Sequence, residues 1–241
     1  MGKTTENQIS PAAVNRELAC LKRVFNWLRD SHPQLRNPVS RVKFFPEAKD
    51  FHVLNFEEER IYLQHCSQPL RDVATIMLET GMRPEEVYRM HTRDLNLVTH
   101  SYTIRYGKTN AARRKVWLND KSLAVVSARA AENGFLFPSR SDTNKPVVKL
   151  NHAHDSALSR SGLSFRLYDL RHSWATRAAE SGMDLVTLAA KLGHSKLDMV
   201  LRYCHPTEQH SDQAMERLEE YKIRRRDADL EAAKSHSEMV S

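Results

Sequence analysis

The sequence predicts a mainly α-helical fold with one small antiparallel β-sheet, and three observations in its 241 residues lead to that class. Apolar residues recur at helical spacing through most of the chain. Several of these runs open on an N-cap residue or a proline and close on a glycine, as at Gly81, Gly182 and Gly193. The period then changes to alternation where SYTIRYGKT, from Ser101, and RRKVWLN flank the polar turn TNAA, which reads as a β-hairpin.

Residues 10–30, SPAAVNRELACLKRVFNWLRD, offer a serine N-cap and a proline at the first helical position. Val14, Leu18, Leu21, Val24, Phe25 and Leu28 form an apolar stripe behind them. This is an amphipathic helix. Its polar face carries Arg16, Lys22, Arg23 and Arg29, and it reads equally as a solvated surface or as a DNA-facing one. NPVSRVKFFPEAKDF, residues 37–51, has two prolines and no helical period, so it reads as a linker containing the domain boundary.

Asn55 then caps a helix with acids in its first turn, where the positive helix end favours them. Helices follow over residues 69–80 and from Pro84 onward, and after the hairpin over 121–133, 152–161, 169–181, 185–192 and about 211–225. The highly charged tail is expected to be helical at first and disordered at its end. The resulting division is a helical segment (1–46), a linker (47–54), a main domain (55–221) and a tail (222–241).

Composition narrows the partners. A chain of this length can bury a substantial core. The balance of 37 basic against 30 acidic residues, net +7, favours a polyanion. Cys20, Cys66 and Cys204 are widely separated, which suggests neither a disulfide framework nor a zinc site, and a reducing cytoplasm is the expected home. The start MGKTTENQIS has no apolar leader core, and no stretch reaches the roughly 18 apolar residues of a membrane span. His152 and His154 have no matched acidic or cysteine partners nearby, so they read as structural, and no metal or cofactor is expected.

The chemistry concentrates in residues 168–206, YDLRHSWATRAAESGMDLVTLAAKLGHSKLDMVLRYCHP. Arg171 is followed by an LGH ending at His194, and Tyr203 comes nine positions later. Upstream, ETGMRPEEV supplies Arg83 and Glu86, and RYGKTNAARRKVWL supplies Lys108. These motifs closely resemble the signature of the tyrosine recombinases, the phage integrase family: LRH, a helix, LGHS and a late tyrosine in fixed order. AAVNRELACLKRVFNWL followed by NPVSRV is similar to the last part of that family's core-binding domain. Only the closing one or two of that module's several helices are present, so DNA binding is expected to be weaker than in a chain extended at the N-terminus.

The resemblance implies the family's DNA breaking-rejoining fold and a catalytic set drawn from both ends of the domain. Tyr203 would attack the scissile phosphate and form a 3′-phosphotyrosyl link without metal or ATP. Arg83, with Glu86 as its acidic companion, and Arg171 would hold the two non-bridging oxygens, a bidentate task that lysine cannot copy. His194 would hydrogen-bond a non-bridging oxygen, and Lys108 would protonate the departing 5′ oxygen. Arg113, Arg114 and Lys115, across the turn, read as phosphate contacts or as solvated charges.

One departure stands out at Tyr168, where most members carry a histidine three positions before the second arginine. A phenol with a pKa near 10 is a poor base at neutral pH. It can still donate a hydrogen bond to phosphate, and neighbouring His172 is a candidate substitute for the missing histidine.

The expected function is site-specific recombination of double-stranded DNA. The protein would be a monomer in free solution and a homo-tetramer on synapsed DNA, nucleoid-associated when bound, with accessory DNA-bending proteins as further partners. Two rivals are a type IB-like topoisomerase and a catalytically weak DNA-binding relative.

Overall fold

The computed structural model describes residues 9–47, 51–107, 110–130, 134–204 and 208–239. The chain divides into two units, Met1–Asp50 and Phe51–Ser241. In the smaller unit, α1 (Pro11–Ser31) starts where Ser10 Oγ accepts from Ala13 N at 3.3 Å. The stretch expected to be a linker is instead tied to this helix by two asparagines. Asn15 Nδ2 donates to Phe45 O, and Phe45 N donates to Asn15 Oδ1, both at 2.8 Å. Asn37 Nδ2 donates to Lys22 O and to Asn26 Oδ1. Paired amides of this kind satisfy the backbone polar groups of a segment that forms no helix or sheet.

The larger unit is built around a buried helix. After α2 (Phe56–His65), opened by a reciprocal Asn55–Glu58 capping box, comes α3 (Leu70–Thr80). Leu70, Val73, Ala74, Ile76 and Met77 are all fully buried, because α3 is apolar on several sides and is covered by its neighbours. Each of these side chains other than Ala74 contributes roughly 1.5–3 kcal/mol of transfer free energy. Gly81 ends the helix at φ +65°, and a Cβ there would come within 2.3 Å of the Trp174 ring. The short α4 (Pro84–Tyr88) follows at once.

The three-stranded antiparallel sheet has the order β1 (Leu95–Asn96), β2 (Ser101–Ile104), β3 (Arg114–Trp117), with Tyr102 opposite Val116 and Thr103 opposite Lys115. Tyr102, Ile104 and Val116 face the core, and Thr103, Lys115 and Trp117 face outward. The alternation predicted β2 and β3. The two-residue β1 is too short to leave a pattern.

The rest is helical: α5 (Asp120–Arg129), α6 (Asn151–Ser161), α7 (Asp169–Glu180), α8 (Leu185–Leu192), the single turn α9 (Asp198–Leu201) and α10 (Glu208–Met239). The tail expected to end in disorder lies in α10 as far as Met239, consistent with a run of good helix formers that contains neither glycine nor proline. α7 separates two apolar clusters. Leu170 belongs to the main core around α3, whereas Ala175 and Ala178 pack with Leu188, Leu192, Val200 and Tyr203 in a second, smaller one. Tyr62 Oη lies 2.7 Å from His154 Nδ1, and His154 Nε2 lies 3.0 Å from Phe165 O, a buried polar chain of the structural kind expected for His154.

Candidate active site

Arg171, in the first turn of α7, is completely buried. A buried guanidinium needs acceptors, and helix C-termini provide carbonyls that have no partner within their own helix. Arg171 Nη1 donates to Gly81 O at the end of α3 (2.8 Å), and Nη2 donates to Leu192 O at the end of α8 (2.6 Å). Both helix ends also carry negative partial charge. Burial draws the Arg171 pKa down to about 10, so the group remains charged at neutral pH.

The end of α8 can be accounted for carbonyl by carbonyl. Gly193, at φ +65°, closes the helix, with Gly193 N donating to Ala190 O and His194 N to Ala189 O. The next three carbonyls each accept from a different arginine: Lys191 O from Arg114 Nε at 2.6 Å, Leu192 O from Arg171, and Gly193 O from Arg83 Nη2 at 3.4 Å.

Glu86 is the counter-ion to the same three side chains. It lies 2.8 Å from Arg83 Nη1, 2.9 Å from Arg114 Nη2 and 4.0 Å from Arg171 Nη1. Burial pushes its carboxyl up, and the ion pairs with Arg114 and Arg83 more than offset this, leaving it below the ordinary range. Its Oε2 also accepts from Arg83 N, which fixes the backbone where α4 begins.

His194 follows the glycine. Its Nε2 lies 3.1 Å from Arg171 Nη2, which can only donate, so the neutral ring carries its proton on Nδ1. Burial, together with Arg171 and Arg83, lowers its pKa to about 4. That Nδ1 is buried without a partner, as is Arg171 Nε; among the described residues, Thr176 Oγ1 is the remaining case. Two orphaned N–H donors in one cluster suit an anionic ligand, since leaving such groups unpaired costs about 1–3 kcal/mol each. A cavity of about 490 Å³ opens beside His194, lined also by Arg83, Glu86, Arg89, Tyr106 and Gly193 among others.

Tyr203, just beyond α9, is 3% exposed, and its Oη lies 2.7 Å from His172 Nδ1. Burial holds the phenol above its ordinary pKa and draws His172 down to about 4, so at neutral pH the tyrosine donates and the histidine accepts. Phe51 stacks on His172 with centroids 4.5 Å apart and meets Tyr203 edge-on at 5.5 Å. Tyr168 also meets His172 edge-on, at 5.1 Å. Its hydroxyl interacts with Arg83, whose charge Glu86 and Tyr168 support against the opposing effect of burial.

The fold thus gathers Arg83, Glu86, Arg171 and His194 into one cluster, with Tyr168, His172 and Tyr203 beside it. Lys108 lies outside the described residues. Arg113 and Lys115 are exposed beside the turn, and Arg16 and Arg23 are exposed on α1.

Two expected DNA contacts are engaged elsewhere. Lys22 Nζ donates to Val42 O at 2.6 Å and lies 4.6 Å from the Phe44 ring centroid. Arg114 is turned inward, its side chain 7% exposed, because the pleat that sends Lys115 to solvent puts its neighbour on the face of Val116. The alternation that identified the strand already carried this signal. Phe51 left no sequence signal, since only folding brings it against Tyr203.

A model of the phage integrase family matches residues 52–210. The integrase of Salmonella phage P22 is 28% identical over 180 residues, 68% of this chain and 46% of that protein. Tyrosine recombinase XerC of Herpetosiphon aurantiacus is 25% identical over 237 residues, 88% of this chain and 76% of that protein. The chain spans about half the length of the phage P22 and Escherichia phage P2 integrases, 46% and 56% respectively. In fold it is similar to the Tn1549 transposon integrase solved with a circular intermediate DNA, at a TM-score of 0.73 and 19% identity, covering 90% of this chain and 82% of that one. It is likewise similar to a lambda integrase dimer bound to a COC′ core site, at 0.67 and 17%, covering 80% and 73%. With the family model matched across most of the larger unit, around the cluster of arginines, histidines and tyrosines that its motifs assemble, the chain belongs to the phage integrase family, the tyrosine recombinases.

Proposed function

We propose that this chain breaks and rejoins double-stranded DNA at specific sites through a 3′-phosphotyrosyl intermediate. The observation that carries the proposal is the Arg171–His194 pair, which leaves two buried N–H donors unanswered beside a second arginine. A scissile phosphate held by Arg83, Arg171 and His194 would meet donors suited to the charge of its pentacoordinate state. Tyr203 Oη bonds to phosphorus as its proton passes to His172 Nδ1. The bond to the 5′ oxygen breaks, and that oxygen takes a proton from Lys108. A DNA 5′-hydroxyl reverses the step, and because the phosphotyrosyl link keeps the phosphodiester energy, rejoining needs no nucleotide.

In this reading Tyr168 supports Arg83 and His172 instead of acting as the base. Arg16, Arg23, Arg113 and Lys115 contact phosphates and make affinity depend on salt. The protein works in the cytoplasm, as a monomer that assembles into a homo-tetramer on two synapsed duplexes, with DNA-bending proteins assisting. The DNA-bound integrases among its structural relatives support duplex DNA as the partner.

The test is to incubate the protein with nicked DNA carrying the ends of its own element and trap covalent complexes in denaturant. A complex that forms with the parent and is lost in Tyr203→Phe supports the proposal. The absence of any complex on such DNA would point to a silent binder, and relaxation of arbitrary plasmid without recombination would point to a topoisomerase.

A further inference from the structure

Arg114 lies in a position that a DNA contact would not occupy. Its Nη1 and Nη2 each reach a Glu86 oxygen at 2.9 Å, Nη1 also donates to Ala112 O at 3.1 Å, and Nε donates to Lys191 O at 2.6 Å. Four of the five guanidinium N–H donors are thereby taken within the protein. A Cβ on Gly193 would come within 2.8 Å of Arg114 Nη1 and 3.0 Å of Ala111 O. The side chain therefore links three parts of the site: strand β3, the carboxylate that orients Arg83, and the α8 end that presents His194.

Resting on the reading above, we infer that Arg114 is a positioning residue for strand cleavage, holding Glu86 and the end of α8 so that Arg83 and His194 meet the scissile phosphate in register. Without its fork, Glu86 would keep Arg83 and Arg171 as partners but lose the bidentate clamp that fixes its plane. Lysine would retain the charge and not the two-point geometry. Displacement of about 1 Å at such a site costs on the order of 10²-fold in rate.

The experiment compares parent, Arg114→Lys and Lys115→Gln on one nicked substrate. It measures affinity against salt and single-turnover cleavage at saturating DNA, on a normal scissile phosphate and on a methylphosphonate that lacks one non-bridging charge. Arg114→Lys is expected to keep the parent salt slope and to lose roughly 10²-fold in cleavage of the phosphate. Its loss on the methylphosphonate should be at least tenfold smaller, because less charge must be stabilised there. Lys115→Gln, removing an outward cation, should reduce the salt slope by about one.

Equal losses of Arg114→Lys on both substrates would mean general structural damage and would overturn the inference. So would a slope reduced by one with cleavage intact, the behaviour of a phosphate contact. If Arg114→Lys does not fold, the pair Glu86→Gln with Arg114→Gln, which replaces the ion pair by an amide pair, takes its place. The same selective loss is expected of it, and parent-like cleavage by that pair would equally sink the idea. A parent that forms no covalent complex removes the functional reading itself, whereas a parent that cleaves no faster than Arg114→Lys removes this inference alone.

Discussion

Tyr203 Oη donates to His172 Nδ1 across 2.7 Å, with Phe51 stacked on the imidazole and Tyr168 meeting it edge-on. The imidazole comes from the residue after the second arginine, not from the position three before it where most family members carry one.

His172→Gln should therefore slow single-turnover cleavage by roughly 10²- to 10⁴-fold. Tyr168→His, added in that background, should restore part of the rate by supplying an imidazole from the adjoining position. Cleavage by His172→Gln at the parent rate would show that the proton leaves by another route.

Stability should depend on pH through two histidines, the buried His172 and the half-buried His194. His172 and His194 have folded pKa values of about 4 against an ordinary 6.5, so below pH 6.5 the unfolded chain binds protons that the folded one refuses. Their contribution is complete above pH 6.5 and declines as pH falls toward about 4. Urea midpoints measured across that window should fall, and His172→Gln should flatten part of the decline. A midpoint in the parent that is constant between pH 7 and pH 4.5 would contradict neutral burial of these rings.

Tyr203→Phe keeps the ring that packs in the second apolar cluster and removes the oxygen. It should abolish covalent complex formation while costing only about 1–3 kcal/mol in denaturant unfolding, the effect of leaving His172 Nδ1 without its donor. Global unfolding of this variant would mean that the tyrosine serves the core more than the chemistry.

Gly193→Ala should damage activity more than stability. The left-handed backbone at φ +65° costs roughly 1–2 kcal/mol with a Cβ present, and that Cβ must also displace the Arg114 guanidinium. His194 would move with it. Cleavage should fall by at least tenfold with retained affinity for DNA, and unchanged cleavage would mean that the turn tolerates the shift.

Much of this arrangement is legible in the sequence because it rests on local rules. Asn55 with Glu58, proline at the start of α4 and glycine at the ends of α3 and α8 are short-range signals, and each marks an element end in the structure. The order of Arg83, Arg171, His194 and Tyr203 was likewise visible. What was hidden depends on partners far apart in the chain. Nothing near Tyr203 says that it meets His172, 31 residues away, and nothing near Glu86 says that Arg114, 28 residues on, will hold it. The pinning of residues 37–47 to α1 by two asparagines is equally non-local, so a segment without periodicity read as a linker.

The end of α8 has a consequence for how this site can vary. Three guanidinium groups are spaced by successive backbone carbonyls, and a carbonyl is the same whatever side chain stands beside it. Lys191, exposed to solvent, can therefore drift in identity without disturbing the charges, whereas Gly193 cannot. The distances between the positive charges are inherited through the shape of the main chain, which point mutation alters least.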